Sequence, residues 1–373
     1  MLKNINIAVL FITMIFCGCA GPTTKTIKPS DAAVVLEADK QKEIAIKELI
    51  KSHERLQNVG WPILKAGLPF CVDRKYWSSG FNAINKYDFS DNARDVAVSS
   101  LGVSDVLQVV FVNESSPADS AGLQKGDLLI AINGKDAPVA KDATKRLGEL
   151  VREETKDGKD LTIKIKRNGD NEIINIDPVE TCDYPIVLID DPNVNAFADG
   201  NVIGINQGMM DFARTDDELA LVIGHELAHN NMRHIDSKRI NAMGGLIFDI
   251  LAAALGVNTQ GAFTKMAANA YSQEFEAEAD YVGLYILAIA GNDISEAQYF
   301  WRRMGVKHPG SIDKNHAAAH PSSPERFVAI EETVKEIQMK IAANEPLTPN
   351  IDEDKLTSRE PPPSPASRLG IGP

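Results

Sequence analysis

Two histidines four positions apart inside an apolar helical stretch constrain this chain more than any other feature. The segment from Asp216 to His234 reads as a helix. Thr215 caps it, and Asp216, Asp217 and Glu218 favour the positive end of its dipole. Within it stands His225-Glu226-Leu227-Ala228-His229. At helical pitch both rings leave one face, one turn apart. That spacing suits two ligands on one Zn2+, with Glu226 turned far enough round to reach the reacting water. Leu219, Leu221, Val222, Ile223 and Leu227 make the surroundings apolar. The alternative is a helix whose histidines are merely packed.

Tetrahedral zinc needs a third protein ligand. In the metzincin pattern, a histidine six residues after His229 and a glycine three after it would fall on Ile235 and Met232. His234 is one place out and reads as the end of the helix. In the gluzincin pattern a later helix supplies a glutamate. Tyr271 to Asp280 offers Glu274, Glu276 and Glu278, and only Glu276 has an aspartate four residues on. Glu276 is therefore the expected ligand, and Asp280 the residue expected to orient a histidine from behind. Glu274 and Glu278 are expected to face solvent or partner helices.

Three motifs carry a family resemblance. They are HELAH at 225–229, Glu276-Ala277-Glu278-Ala279-Asp280, and His320-Pro321-Ser322-Ser323-Pro324-Glu325-Arg326. With Asn195-Ala196-Phe197-Ala198 they resemble the HtpX-like and CAAX-prenyl-protease-like zinc peptidases, in their periplasmic lipoprotein branch. The resemblance implies Zn2+, a general base at Glu226, and substrate backbone bound along Asn195 to Ala198. It also implies a role for His320 at the oxyanion or over the open metal position, with Arg326 holding that loop; otherwise His320 is a turn residue before Pro321.

A second resemblance covers about Asp91 to Pro178. The words SPADSAGLQKGDLLIAING, with strand patterns before and after, resemble a bacterial-type PDZ domain. Asn133-Gly134 and Asn168-Gly169 are hairpin turn signals. Leu101, Gly102 and Val103 stand where such domains carry the carboxylate-binding loop. The groove implied there captures a substrate or partner, or else the domain is a spacer.

The ends bound the rest. Lys3 and the apolar run Ile7 to Phe16 form a leader too short for a permanent span. Phe16-Cys17-Gly18-Cys19 resembles a lipobox, so Cys19 is the expected lipidation site, with a plain secretory signal or an uncleaved anchor as alternatives. Ala20 after Cys19 implies, by resemblance to enterobacterial sorting, the outer membrane facing the periplasm. Cys71 and Cys182 then remain as an even pair in an oxidising compartment, a disulfide or two buried thiols. The formal net charge of -13 argues against nucleic acid as a partner.

The expected class is α+β: a mainly helical zincin-type peptidase domain with a small sheet, plus an inserted β-rich PDZ domain. The expected divisions are signal 1–18, tether 19–30, N-terminal helix and start of the peptidase 31–90, PDZ 91–178, peptidase 179–345 and a disordered Pro-rich tail 346–373. The expected function is zinc-dependent cleavage of envelope proteins, with the PDZ recruiting substrate or an envelope partner. The alternative is a mostly latent protease serving as a chaperone or binding module.

Overall fold

A computed structural model describes residues 23–24, 26–254, 257–268, 272–307 and 324–351. Helix α1 spans Asp31–Ala66. It begins in one compact unit, Met1–Ile44, and ends in the other, Ala45–Pro373. In the first unit Val34, Val35, Leu36 and Ile44 are exposed. The residue pattern predicts an end near Gln57, before Gly60 and Pro62, yet the helix runs on to Ala66. Tertiary burial overrides the breakers. Leu56, Val59, Trp61 and Ile63 are all buried, and a Cβ on Gly60 would come within 2.3 Å of Ile186.

Residues 63–71, expected to enter a first strand, instead finish α1 and make a 3-10 turn at Leu68–Phe70. The first strand is β1 (Lys75–Ser78), which pairs antiparallel with β8 (Val179–Cys182), Lys75 opposite Cys182. Cys71 and Cys182 form a disulfide, with Cα atoms 5.8 Å apart. This two-stranded stem carries everything between. Replacing both cysteines with serine should cost about 2–5 kcal/mol, because the bond closes a loop of 111 residues. Urea unfolding with and without reductant measures it.

Between the strands of the stem lie β2 (Phe81–Ile84), α2 (Asp91–Leu101), β3 (Gln108–Val112) and α3 (Pro117–Ser120). They are followed by β4 (Leu128–Ile132), β5 (Lys135–Asp136), α4 (Ala143–Glu154), β6 (Leu161–Arg167) and β7 (Asp170–Ile176). Their sheet runs β2-β3-β4-β6-β7, with β5 on β4. Leu161, Ile163 and Ile165 point inward from β6 and their neighbours outward, the period-2 pattern of a half-buried strand. At both Asn-Gly turns the two residues have positive φ, as a two-residue hairpin requires. The sheet already includes Phe81–Ile84, so the inserted unit starts about ten residues before the expected boundary at 91.

The peptidase part continues with β9 (Ile186–Ile189), β10 (Ala196–Ala198) and β11 (Ile203–Asn206), a sheet of order β10-β11-β9. Around it pack α5 (Gln207–Phe212), α6 (Asp216–Asn231), α7 (His234–Ala254), α8 (Ala262–Ala268), α9 (Ser272–Ala290), α10 (Ala297–Lys307) and α11 (Pro324–Ala342). Their common core includes Leu56, Ile203, Leu219, Leu227, Tyr285 and Phe300. The apolar run from Met243 falls in α7, which forms a helical hairpin with α8. Gly245 lies against Phe263, and Asp249 turns inward to accept the Thr264 N–H at 2.8 Å. Met243, Ile247, Phe248 and Ile250 are exposed. Among the described residues no helix is long and apolar enough to cross a membrane.

Candidate metal centre

Helix α6 is buried from Leu219 through Asn231, like a helix central to a core. The Thr215 hydroxyl accepts from the Glu218 N–H at 3.2 Å and starts it. Arg303 fixes Glu218 with two contacts of 2.7 Å.

Opposite α6 lies α9, and the two backbones nearly touch. A Cβ on Gly283 would lie 3.0 Å from the Gly224 carbonyl oxygen and 3.1 Å from the His225 nitrogen. A Cβ here would require the facing backbone to give by a few tenths of an ångström, and the close approach carries Glu276 and Asp280 up to His225. Gly283→Ala should force the helices apart, costing about 1–3 kcal/mol and weakening metal binding. Thermal unfolding and chelator competition check both.

Three donor atoms converge. His225 Nε2 and His229 Nε2 are 3.1 Å apart. Glu276 Oε2 lies 3.3 Å from His225 Nε2, and Glu276 Oε1 lies 3.3 Å from His229 Nε2. All three residues are buried, and among the described residues this is the one cluster of metal-ligating side chains. Bonds of about 2.0–2.1 Å with tetrahedral angles separate donors on zinc by about 3.3 Å. The nitrogen and oxygen donors therefore fit zinc in both chemistry and spacing. Glu226, the residue after His225, is buried and outside the trio.

Asp280 Oδ1 lies 2.9 Å from His225 Nδ1, where it accepts that N–H and leaves Nε2 for the metal. Arg326 in turn grips Asp280 with two N–H groups, Nη2 to Oδ1 at 2.8 Å. Its Nη1 lies 3.3 Å from Glu276 Oε2, and its guanidinium sits over Trp301. Among the described residues Arg326 holds Glu276 and Asp280; the His320 loop that it is expected to hold lies outside them. Burial opposes a charge on His225, but hydrogen bonds and charge from Asp280 and Glu276 outweigh it and lift the pKa to about 9. Burial also works against Asp280, and the Arg326 charge overcomes it, holding the carboxyl below its usual range.

Asn195 to Ala198 border the same helix. β10 is the outer strand of its sheet, antiparallel to β11, with Phe197 opposite Gly204. Asn230 ties α6 to this sheet, accepting the Gly200 N–H at 2.9 Å and donating to the Val202 carbonyl at 3.1 Å. His320 and Cys19 lie outside the described residues.

The stretch expected to carry the carboxylate loop closes a helix. Leu101 ends α2, Gly102 is its left-handed cap at φ 71°, and Val103 is buried against Ile46 and Ala97. A groove of about 270 Å3 lies instead between β2 and α4, lined by Gly80, Phe81, Ala83, Leu147 and Val151, with Trp61 of α1 at its wall. β2 is the outer strand of the larger sheet. Two further lining residues, Ser79 and Asn113, have buried oxygens, Oγ and Oδ1, with no hydrogen-bond partner among the described residues. The signal available in the sequence was Ser79-Gly80 just before a short strand.

Glu278, expected to face solvent or a partner helix, meets His234 at 2.7 Å, a contact that sequence reading did not foresee. His234 does not merely end α6. Arg233 takes a left-handed φ of 53°, and His234 opens α7 fully buried, its Nδ1 2.8 Å from His229 Nδ1.

Two histidines one turn apart, a carboxylate from a second helix and an intervening glutamate are the arrangement that zinc metallopeptidases of the HExxH kind use. Comparison with known proteins finds similarity in the same region. Residues 164–334 match the family model of Peptidase family M48 and residues 87–177 that of the PDZ domain. Mitochondrial metalloendopeptidase OMA1 of Schizosaccharomyces pombe is 30% identical over 176 residues, 45% of this chain and 52% of that one. The beta-barrel assembly-enhancing protease of Escherichia coli (strain K12) is 26% identical over 126 residues, 30% of this chain and 26% of that one. Among solved structures, the HtrA3 PDZ domain bound to a phage-derived ligand is 20% identical with a TM-score of 0.22, covering 29% of this chain and 88% of that one. The chain spans about half, or less, of the length of these curated relatives.

Proposed function

We propose that this chain is a zinc-dependent endopeptidase of the bacterial envelope, tethered by a lipid on Cys19. It would cleave envelope proteins, with outer-membrane proteins in assembly as the substrate class. The observation that carries the reading is the trio of His225, His229 and Glu276 at separations of 3.1 and 3.3 Å. When bound, zinc would polarise the scissile carbonyl and acidify water. Glu226 accepts the proton of the attacking water and returns it to the leaving amine. The substrate backbone lies along the outer edge of β10. His320 is proposed as the donor to the oxyanion.

The groove between β2 and α4 is proposed to recruit the substrate or a partner, pairing an extended peptide with β2. The unpartnered oxygens of Ser79 and Asn113 support a polar ligand there. On the strength of HELAH, the Glu276–Asp280 segment and His320 to Arg326, we read the chain as nearest the HtpX-like and CAAX-prenyl-protease-like branch. The division we propose is a signal at 1–18, a tether at 19–30, a peptidase domain split by the inserted PDZ, and a Pro-rich tail from 346. The name of the Escherichia coli relative fits an envelope setting.

Metal analysis of the purified chain, with cleavage of an unfolded outer-membrane protein and of casein, tests this. One zinc per chain and chelator-sensitive cleavage are expected. A chain that holds zinc yet cuts no polypeptide would overturn the peptidase reading.

A further inference from the structure

We infer that His234 and Glu278 form a second positioning relay, which fixes the tautomer and ring orientation of His229 as Asp280 does for His225. The inference rests on the zinc reading of the site.

Each metal-binding imidazole offers one nitrogen and keeps its proton on the other, and whatever accepts that proton sets the ring. His229 directs Nε2 at the donor trio, 3.1 Å from His225 Nε2 and 3.3 Å from Glu276 Oε1. Its proton must then sit on Nδ1. That atom faces a second ring nitrogen, His234 Nδ1, at 2.8 Å. One of two nitrogens so close must be a bare acceptor, so His234 carries its own proton on Nε2. Glu278 Oε2 lies 2.7 Å from His234 Nε2, placed to accept it. The order of donation is settled by chemistry at both ends: a metal-facing nitrogen at one, a carboxylate at the other.

The surroundings fix the middle ring. His234 is fully buried and stacks on Phe275, with centroids 4.7 Å apart. Its Nδ1 meets the far side of the His229 ring from the trio, so it supports a ligand rather than serving as one. Left-handed backbone at a non-glycine residue is strained and survives only where the surroundings hold it. Arg233 is held by an ion pair with Asp73. Helix α9 thereby supplies three acidic groups to one centre: Glu276 as ligand, Asp280 behind His225, and Glu278 behind His229 through His234.

The test measures zinc affinity by chelator competition and the visible spectrum of the Co2+ form, on the full chain. His234→Phe keeps the stack on Phe275 and removes the acceptor. It should weaken zinc binding about 10–100-fold, perturb the Co2+ spectrum, and lower kcat with KM little changed. His234→Asn keeps an oxygen near the Nδ1 position and should recover most of the affinity. Zinc affinity and a Co2+ spectrum equal to wild type in His234→Phe would overturn the inference. Should that variant not fold, Glu278→Ala and Glu278→Gln decide it at a site about one-third exposed. The alanine variant should weaken zinc more than the glutamine variant, whose amide oxygen still accepts; wild-type affinity in Glu278→Ala overturns the relay. Metal affinity is read without turnover, so a chain that binds zinc and cleaves nothing would sink the peptidase reading alone.

Discussion

Glu226→Gln should abolish nearly all turnover and leave the metal in place. Glu226 is buried beside His225 and is not one of the three converging donors. The amide has the same shape and volume, so packing within α6 is kept. What it loses is the ability to take a proton from water and hand it to the leaving amine. General acid–base groups contribute about 10^2–10^4-fold, and kcat should fall by that factor. Turnover of an unfolded substrate and zinc content, measured on the same preparation, check it. Loss of zinc in this variant would mean that Glu226 is a ligand, and undiminished kcat would mean that the base is elsewhere. The same variant should retain its substrates when used as bait, and a retained set without proteins would contradict cleavage of polypeptides.

Arg326→Met should be the most destabilising single change near the site. Arg326 is buried with Asp280 and Glu276, both of them buried too. Removing one partner of a buried charge cluster leaves the others uncompensated, at about 3–5 kcal/mol. Methionine fills much of the same space against Trp301, so the loss reports charge more than volume. Asp280 would then cease to hold His225, and zinc affinity should fall as well. The double variant Arg326→Met, Asp280→Asn should be less destabilised than the two single losses added together. Urea unfolding of the metal-free chain measures this. A change below about 1 kcal/mol would show the cluster to be hydrated.

Much of the centre was legible because it is local. Helical pitch alone puts His225 and His229 on one face and Glu276 above Asp280. The turns at Asn133 and Asn168 follow from residue type. What escaped depends on contacts distant in sequence. Pro62 stays inside α1 because Trp61 and Ile63 are buried by the rest of the fold. Helix α2 is not legible in the residues before 101, where Gly102, its left-handed cap, has the same residue type that a carboxylate-binding loop would need. His234 was one place out for a ligand, and nothing in one sequence shows that Arg233 turns the chain back beneath His229. Gly283 is an ordinary helix glycine until α6 is laid against it.

The stem of β1 and β8 bears on how the chain comes to be assembled. The two halves of the metal-binding body are synthesised more than a hundred residues apart, since the cysteines at the stem are separated by 111. Joining them through a slack segment would incur the full entropy of closing so long a loop. The intervening sheet is contiguous in sequence and has its own apolar centre, so it can condense first. Once it does, Tyr76 and Thr181 already face each other. The insert can thus act as an internal clasp that delivers α1 to α6, and weakening it should slow assembly of a metal centre built from other elements.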